Sequence, residues 1–160
     1  MRKIWNHAPY PVWSLVTRDE KGDAHMNICT YVTPISMHPK EFIIGVYYGT
    51  ATYDHVVRDR RACLQLLSKD QIAYVPLLGK KSAKKHPRKM QNKKITEHTH
   101  MYNSWTVLEG CIGYIDLEIY DIQDTTADHA IAYARVIHAR TVSNDPVLTL
   151  VDLYDAGVIG

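Results

Sequence analysis

Residues 11–17 read Pro-Val-Trp-Ser-Leu-Val-Thr, an apolar and β-branched run that predicts a strand. Turn-forming residues follow over 19–23, and residues 24–30 resume an extended pattern. Two extended runs joined by a short turn predict an antiparallel hairpin near the start of the chain.

A strand followed by a helix comes next. Pro34 and Pro39 indicate a loop, after which residues 41–48 form a continuous apolar run of strand length. Thr52 is placed to cap a short helix over residues 53–60, whose apolar residues recur at helical spacing.

The rest of the chain contains more strand segments and few helices. The pattern predicts a strand over 62–67, a short helix over 70–78, strand material over 107–120 and a strand over 129–140. Residues 79–104 lack clear periodicity and predict a long loop. Five or six strands with few helices indicate a mainly β protein, folded as a closed or nearly closed antiparallel barrel.

Length and composition limit the domain count and the location. A chain of 160 residues with 46% apolar side chains predicts one domain spanning residues 1–160. No run of about 18 apolar residues predicts a membrane span, and the first residues lack the apolar core of a secretory signal. The cysteines, Cys29, Cys63 and Cys111, form no CxxC pair. We therefore expect a cytoplasmic protein without disulfides, structural zinc or a membrane partner, in which Cys63 and Cys111 are inert core residues.

Charge is concentrated in one segment. The net charge is only +2, but residues 79–94 read GKKSAKKHPRKMQNKK. No aromatic residue is interleaved between Lys80 and Lys94, so binding to single-stranded nucleic acid is not predicted. Two interpretations remain open: a solvated loop, or contact with the phosphate of a small ligand.

Short motifs exclude several common activities. The chain has no GxGxxG, no GxxxxGK followed by Ser or Thr, and no GxSxG. The sequence therefore does not predict a dinucleotide-binding fold, a phosphate-binding loop or the nucleophile elbow of an α/β-hydrolase.

His98 and His100 would share one face of a strand and could bind one metal ion. Two solvated histidines are the favoured interpretation, and no metal ligand is assigned.

Four segments, taken in order, resemble the flavin reductase-like family, and within it they look closest to the flavoredoxins. The match runs with few gaps from Pro9 to about Arg140, and the order and spacing of the segments carry it. The resemblance implies an FMN-binding split barrel, antiparallel and of the Greek-key type. The segments are residues 11–31 (similar to PVxxVxTxDxxG and the loop after it), 50–56 (TxxTxxNI), 79–90 (GxxSGxxxDKF) and 128–136 (GDHxxxxGxV).

The resemblance also implies which residues hold FMN. The polar edge of the flavin would meet short polar side chains and backbone amides in the loop that leaves the second strand. Its phosphate would meet Thr50, Thr52 and Lys89. His129 is implied as the catalytic residue, beside the flavin face at which a nicotinamide binds. The set implied for the cofactor is Asn27, Ile28, Cys29, Thr30, Tyr31, Tyr48, Thr50, Thr52 and Lys89.

The residues themselves leave structural roles open. Cys29 is also consistent with a small buried residue, Thr52 with a helix cap, and His129 with a solvated histidine at the barrel end. The chain departs from the family pattern at four positions, which are Tyr48, His55, Ala127 and Ala134.

The implied function is an oxidoreductase that passes electrons from NADH or NADPH through FMN to oxygen, an oxygenase or an iron centre. The family pairs as a homodimer, so a homodimer and a redox protein partner are implied, and no nucleic acid. The alternative is an FMN-binding electron carrier without NAD(P)H activity, which the departures around His129 favour. A small metal-binding barrel that uses His98 and His100 is the third hypothesis.

Overall fold

The computed structural model describes residues 1–80 and 83–160, which form a seven-stranded antiparallel sheet and a separate two-stranded hairpin. Lys81 and Ser82, in the segment predicted as a loop, lie outside the described residues. The strands are β1 (Trp13–Arg18), β2 (Ala24–Cys29), β3 (Val32–Met37), β4 (Lys40–Tyr47), β5 (Arg61–Leu66), β6 (Thr99–Tyr102), β7 (Trp105–Leu108), β8 (Gly113–Gln123) and β9 (His129–Thr141). The helices are α1 (Ala51–Asp59), α2 (Tyr74–Gly79), α3 (Lys93–Thr96) and α4 (Leu150–Asp155), with short 3-10 turns at Ile4–His7, Lys69–Gln71 and Lys89–Gln91. The mainly β, antiparallel fold is confirmed, but the described residues form nine strands and not the five or six predicted, because β3 and β6 lie in segments predicted as loops and the strand material over 107–120 is divided between β7 and β8.

The strand order brings the two edges of the large sheet together. The order is β2-β1-β5-β8-β9-β4-β3, with every neighbouring pair antiparallel. β2 and β3 lie at opposite ends of this order, yet only Thr30 and Tyr31 separate them along the chain. Because three residue steps span at most about 10 Å, the sheet must curl until its edges nearly meet. We call the line where the end of β2 meets β3 and β4 the seam.

Apolar side chains are buried on both faces of β1. Leu15 belongs to the cluster inside the barrel, together with Ile44 and Leu117. Val16 points the other way, into a cluster that includes Trp105 on β7. A strand covered on both faces does not need to alternate, which explains why the apolar residues Leu15 and Val16 follow each other in β1.

The segment that contains Pro34 and Pro39 is not a loop, so that prediction is wrong. It forms β3 and the turn into β4. β3 is an edge strand, where the missing N–H of a proline need not interrupt the ladder. The pairing with β4 shifts register between Pro34 and Ser36, which accommodates the proline.

The predicted helix boundaries also need correction. Thr50, and not Thr52, caps α1, because its extended backbone lets its hydroxyl oxygen accept a hydrogen bond from the Tyr53 N–H at 3.3 Å. The helix predicted over residues 70–78 is a 3-10 turn followed by α2. The Gln71 side chain accepts a hydrogen bond from the Ser68 N–H in a local capping box and donates one to the Glu109 carbonyl, so the 3-10 turn has its own cap and a tertiary contact.

Residues 83–104, which the sequence predicted as part of a long loop, contain more regular secondary structure than predicted. They include the turn Lys89–Gln91, α3 and β6, and β6 pairs with β7. Across residues 1–80 and 83–160, no helix combines the length and the apolar character that a bilayer crossing requires.

Candidate functional site

A cavity of about 210 Å³ lies at the seam, and we call it the seam cavity. It brings together the loop between β2 and β3, the end of β4, the first turn of α1 and the start of β9. Seven of the ten residues assigned from the sequence line it. The lining residues are Leu15, Asn27, Ile28, Cys29, Thr30, Tyr31, Gly45, Val46, Tyr47, Thr52 and His129.

Thr52 lines this cavity and carries a buried hydroxyl that the described residues do not satisfy. The residue is 2% exposed, and its Oγ1 has no hydrogen-bond partner among the described residues. The hydroxyl of Thr50, two positions earlier, is already engaged: it donates to the Tyr47 carbonyl at 2.8 Å and accepts from the Tyr53 N–H. Buried hydroxyls are normally bonded, so Thr52 marks where a polar ligand atom fits.

The backbone of β4 and the backbone of the loop between β2 and β3 approach each other closely at the seam cavity. The Gly45 N–H donates to the Tyr31 carbonyl at 2.8 Å across the seam. A Cβ at Gly45 would lie 2.9 Å from the Tyr31 Cβ, so only glycine fits there. The Cys29 thiol lies 3.7 Å from the Gly45 carbonyl oxygen, to which it can donate.

Burial determines the chemistry of the Cys29 thiol. It raises the pKa of Cys29 to about 12, so the sulfur is a neutral thiol at pH 7. Nucleophilic cysteine chemistry requires the thiolate, and the site does not supply it. Cys63 and Cys111 are buried as expected, and burial raises the pKa of each thiol.

His129 stands at the rim of the cavity between two tyrosines. Its ring centroid lies 5.0 Å from that of Tyr31 and 5.3 Å from that of Tyr47. Its Nδ1 lies 2.7 Å from an Asp128 carboxylate oxygen. Because a carboxylate only accepts, we assign a proton to Nδ1; in the tautomer that is protonated only at Nδ1, Nε2 is an acceptor. This hydrogen bond also lowers the pKa of Asp128.

Three of the assigned residues do not line the cavity. Tyr48 instead holds the loop before β9, because its hydroxyl oxygen accepts from the Thr125 N–H at 2.7 Å. Thr50 is the cap of α1. Lys89 is buried, and its Nζ donates to the Leu78 carbonyl at 3.1 Å. Roles for these three residues in cofactor binding remain predictions.

Four cavity residues were not identified from the sequence, which are Leu15, Gly45, Val46 and Tyr47. Gly45 interrupts an otherwise apolar strand, a signal of close backbone approach that was available. Tyr47 is the last residue of β4 and pairs with His129 across the sheet. No sequence signal separates Tyr47 from Tyr48, because only the register of β4 with β9 decides which of them faces His129.

A larger cavity of about 920 Å³ lies on the other side of the first turn of α1. Ala51, Asp54 and His55 share the helix face that lines it. His25 on β2 lies edge-on to His55, with ring centroids 5.1 Å apart, and the Thr17 hydroxyl lies 2.9 Å from the His55 Nδ1. Burial lowers the pKa of His25 to about 3 and also lowers that of His55, so both rings are neutral at pH 7.

The metal hypothesis has little geometric support. His98 and His100 are both exposed, and His100 packs against the Tyr114 ring at 5.4 Å. In the part of the chain that the structure describes, no three His, Cys, Asp or Glu side chains are grouped so that they could hold a metal ion. The pair therefore lacks a third protein ligand there.

Comparison with known proteins establishes the family. The family model described as "Flavin reductase like domain" matches residues 5–155. The chain belongs to this family. As a member of the flavin reductase-like family, the chain is of the oxidoreductase kind. The match also confirms the resemblance that the four sequence segments indicated. No curated protein matches the flavin reductase-like chain at a significant level.

Solved structures show the same fold at low identity. The styrene monooxygenase flavin reductase of Pseudomonas putida S12 is 18% identical, with a TM-score of 0.77, over 91% of this chain and 88% of that one. The NADH:FAD oxidoreductase of Streptomyces globisporus C-1027 is 13% identical, with a TM-score of 0.78, over 94% and 87%. An FMN-binding protein from Thermus thermophilus is 18% identical, with a TM-score of 0.72, over 88% and 75%. These similarities confirm the split-barrel fold of this flavin reductase-like chain.

Proposed function

We propose that the seam cavity binds FMN and that the protein is an oxidoreductase that passes electrons from NADH or NADPH through FMN to an acceptor. The observation that carries this proposal is the buried Thr52 hydroxyl without a partner among the described residues, in a cavity lined by polar residues such as Asn27 and Thr30 and by apolar and aromatic side chains. FMN combines hydrogen-bonding atoms, which such a hydroxyl lacks, with a flat ring that apolar groups can cover.

The chain's own residues would bind and orient the flavin ring. Thr52 would hydrogen-bond the phosphate, as the resemblance implies, and the Asn27 amide would supply a polar contact to the ring edge from β2. The Cys29 thiol would remain neutral and pack beside the ring. The free amides at the start of α1 suit the phosphate. When bound, FMN accepts a hydride and releases its electrons one or two at a time.

His129 would position the electron donor. Its ring is hydrogen-bonded to Asp128 and packs against the rings of Tyr31 and Tyr47. These contacts fix the orientation of the imidazole and therefore the direction of Nε2. An acceptor nitrogen at the cavity rim suits the carboxamide N–H of a nicotinamide. Hydride transfer requires such positioning more than it requires an acid, so His129 is proposed to act by orientation.

The electron carrier without NAD(P)H activity is the second candidate, and one observation favours it. Tyr31 and Tyr47 flank His129 closely and occupy space at the rim that a nicotinamide would need. In this case the same cavity would hold FMN, and a redox protein would supply and remove the electrons.

One experiment separates these functions. The purified protein is mixed with FMN, passed through gel filtration, and then treated with NADH under anaerobic conditions. Retained bands at about 375 and 450 nm would support flavin binding, and their bleaching by NADH would select the reductase. Retention without bleaching would select the carrier. Loss of all flavin on the column would overturn both.

The proposal includes a homodimer in the cytoplasm. Strand β3 is a sheet edge, and it presents Ile35 and Met37 with exposed fractions of 45% and 76%. Exposed apolar side chains on an unpaired edge are unusual unless another chain covers them. The free thiols of Cys29, Cys63 and Cys111 agree with a reducing compartment.

A further inference from the structure

The segments that form the seam cavity contain no basic side chain. Every lining residue except Leu15 lies within residues 22–39, 41–57 and 119–134. These segments contain none of the 19 Lys and Arg residues of the chain. Their carboxylates belong to Asp23, Glu41, Asp54, Asp121, Asp124 and Asp128. Because the whole chain has a net charge of +2, the seam lies in an acidic part of a slightly basic molecule.

Three of these carboxylates lie at the end of β8 and in the loop that leads into β9. We call residues 121–128 the acidic loop. Asp121, Asp124 and Asp128 are exposed, and among the described residues none of them lies within ion-pair distance of a Lys or Arg. In contrast, Asp54 on α1 is paired with Lys84 at 3.0 Å. Within the described residues, the acidic loop therefore presents uncompensated negative charge to solvent.

Hydrogen bonds fix the acidic loop against the rim of the seam cavity. The Thr125 N–H donates to the Tyr48 hydroxyl oxygen at 2.7 Å. The Tyr48 N–H donates to the Asp128 carbonyl at 3.1 Å. The Tyr53 hydroxyl donates to the Asp124 carboxylate at 3.3 Å. The negative charge is therefore held beside the cavity by α1 and by the residue that follows β4.

Exposed aromatic rings lie at the same rim. Tyr31 is 64% exposed and Tyr47 is 48% exposed, and both rings pack against that of His129. The acidic loop reaches the same histidine through Asp128. Aromatic side chains are enriched at protein interfaces, and charges of one sign around such a contact favour a partner of the opposite sign.

The seam cavity is too small to enclose a whole cofactor. Its volume of about 210 Å³ is below the range of about 300–1,000 Å³ that is typical of pockets for small ligands. A flavin bound there would keep part of its surface uncovered at the rim. An electron carrier that docks at the rim could therefore reach it.

We propose that the rim of the seam cavity, with the acidic loop, docks a small basic electron-transfer protein that presents lysines around its own redox centre. The inference rests on the proposed function, because the electrons exchanged are those of FMN in the seam cavity. A hydride delivered to FMN brings two electrons and one proton. Two molecules of a one-electron partner, docking in turn, take one electron each, and the proton passes to water. An acidic partner is repelled.

Calorimetric titration of the full chain with ferric cytochrome c, a small basic haem protein, tests the docking. We expect saturable binding at about 10 mM ionic strength that weakens more than about tenfold at about 150 mM, because the Debye length falls from about 30 Å to about 8 Å. Ferredoxin, a small acidic iron–sulfur protein, should not bind. The titration needs no bound flavin, so its result does not depend on whether FMN is retained on gel filtration.

A double variant, Asp121→Asn with Asp124→Asn, locates the contact. Asparagine removes each charge but keeps an oxygen that accepts from the neighbouring N–H and O–H groups, so the acidic loop should keep its conformation. We expect the Kd for cytochrome c to rise about tenfold at low ionic strength, because two charges that face the partner are lost.

The matched control is a second double variant, Asp70→Asn with Asp145→Asn. Both carboxylates are exposed, and neither forms an ion pair among the described residues. Asp145 follows the end of β9 that is opposite to the acidic loop. The control removes the same net charge, and it should change the Kd less than about twofold.

Three outcomes would overturn the proposal. The first is the absence of saturable binding to the wild-type chain at low ionic strength. The second is equal weakening by the two double variants, which would indicate diffuse attraction to any carboxylate. The third is a change in the mass measured by light scattering for the acidic-loop variant, which would show that a second copy of the chain covers this loop. Binding of cytochrome c without retention of FMN would uphold the docking surface and contradict the proposed function alone.

Discussion

At the scale of single residues, Thr52 combines a cost to stability with a proposed role in binding. A buried hydroxyl without a partner destabilises a fold by about 1–3 kcal/mol. The same group becomes favourable once a ligand bonds to it. Because Thr52 lies in the first turn of α1 and faces the seam, the fold retains a polar atom where an apolar one would be more stable.

The Thr52→Val variant separates these two effects. Valine keeps the shape and removes the hydroxyl, so we expect the FMN-free protein to gain about 1 kcal/mol in the free energy of unfolding. The Kd for FMN should rise about tenfold, which corresponds to the loss of one hydrogen bond of about 1.4 kcal/mol. Urea unfolding and flavin fluorescence titration measure the two quantities. Thr141→Val, on an exposed strand end, should change neither. An unchanged Kd in the Thr52 variant would remove this residue from the site.

The neutral His25 makes stability depend on pH. Its pKa is about 3 in the folded chain, against 6.5 for an exposed histidine, so the unfolded chain binds the extra proton between these values. The stabilising contribution is complete above pH 6.5 and is lost as the pH falls toward 3, with a slope of up to about 1.4 kcal/mol per pH unit.

We expect His25→Gln to flatten this profile when the free energy of unfolding is measured between pH 7 and pH 4. His98→Gln is the matched control, because His98 is exposed, and it should reproduce the wild-type slope. If both variants show the same slope as the wild-type protein, the acid sensitivity has another source.

At the scale of elements, edge strand β3 carries the proposed dimer contact. A lysine in place of Met37 would leave the ladder to β4 intact and place a charge on the exposed edge. We expect Met37→Lys to shift the mass measured by light scattering from dimer to monomer. Ile137→Lys, at a 50% exposed apolar position on β9, is the matched control and should remain dimeric. A monomeric wild-type protein would contradict the proposal outright.

At the scale of the whole molecule, the seam is where a ligand would stabilise the fold most directly. The sheet edges are connected there by a two-residue loop and by the Gly45 hydrogen bond to Tyr31, so a molecule bound between them links β2, β4, α1 and β9.

FMN at about 100 times its Kd should add about 2.7 kcal/mol to the free energy of unfolding. For a chain of this length that corresponds to a rise in Tm of about 5–10 °C. Thermal scans at several FMN concentrations measure it, with riboflavin to isolate the contribution of the phosphate. A Tm that does not depend on FMN concentration would rule out binding to the native state.

The amino-acid sequence was sufficient to predict the mainly β character and the family. Local features were sufficient: β-branched runs, the turn at residues 19–23 and the order of four motif segments. The family resemblance also indicated most of the seam cavity, because it assigns residues 27–31 to the cofactor; they form the end of β2 and the loop after it.

The cap of α1, the tyrosine that faces His129 and the position of Lys89 became apparent only in the folded chain. Whether Thr50 or Thr52 caps α1 depends on backbone angles, and whether Tyr47 or Tyr48 faces His129 depends on the register of β4 with β9. The separation of Lys89 from the seam depends on how the basic segment packs on α2, since its ammonium group reaches the Leu78 carbonyl. Long-range packing fixes all three, and it is not encoded in the spacing of residues along a segment.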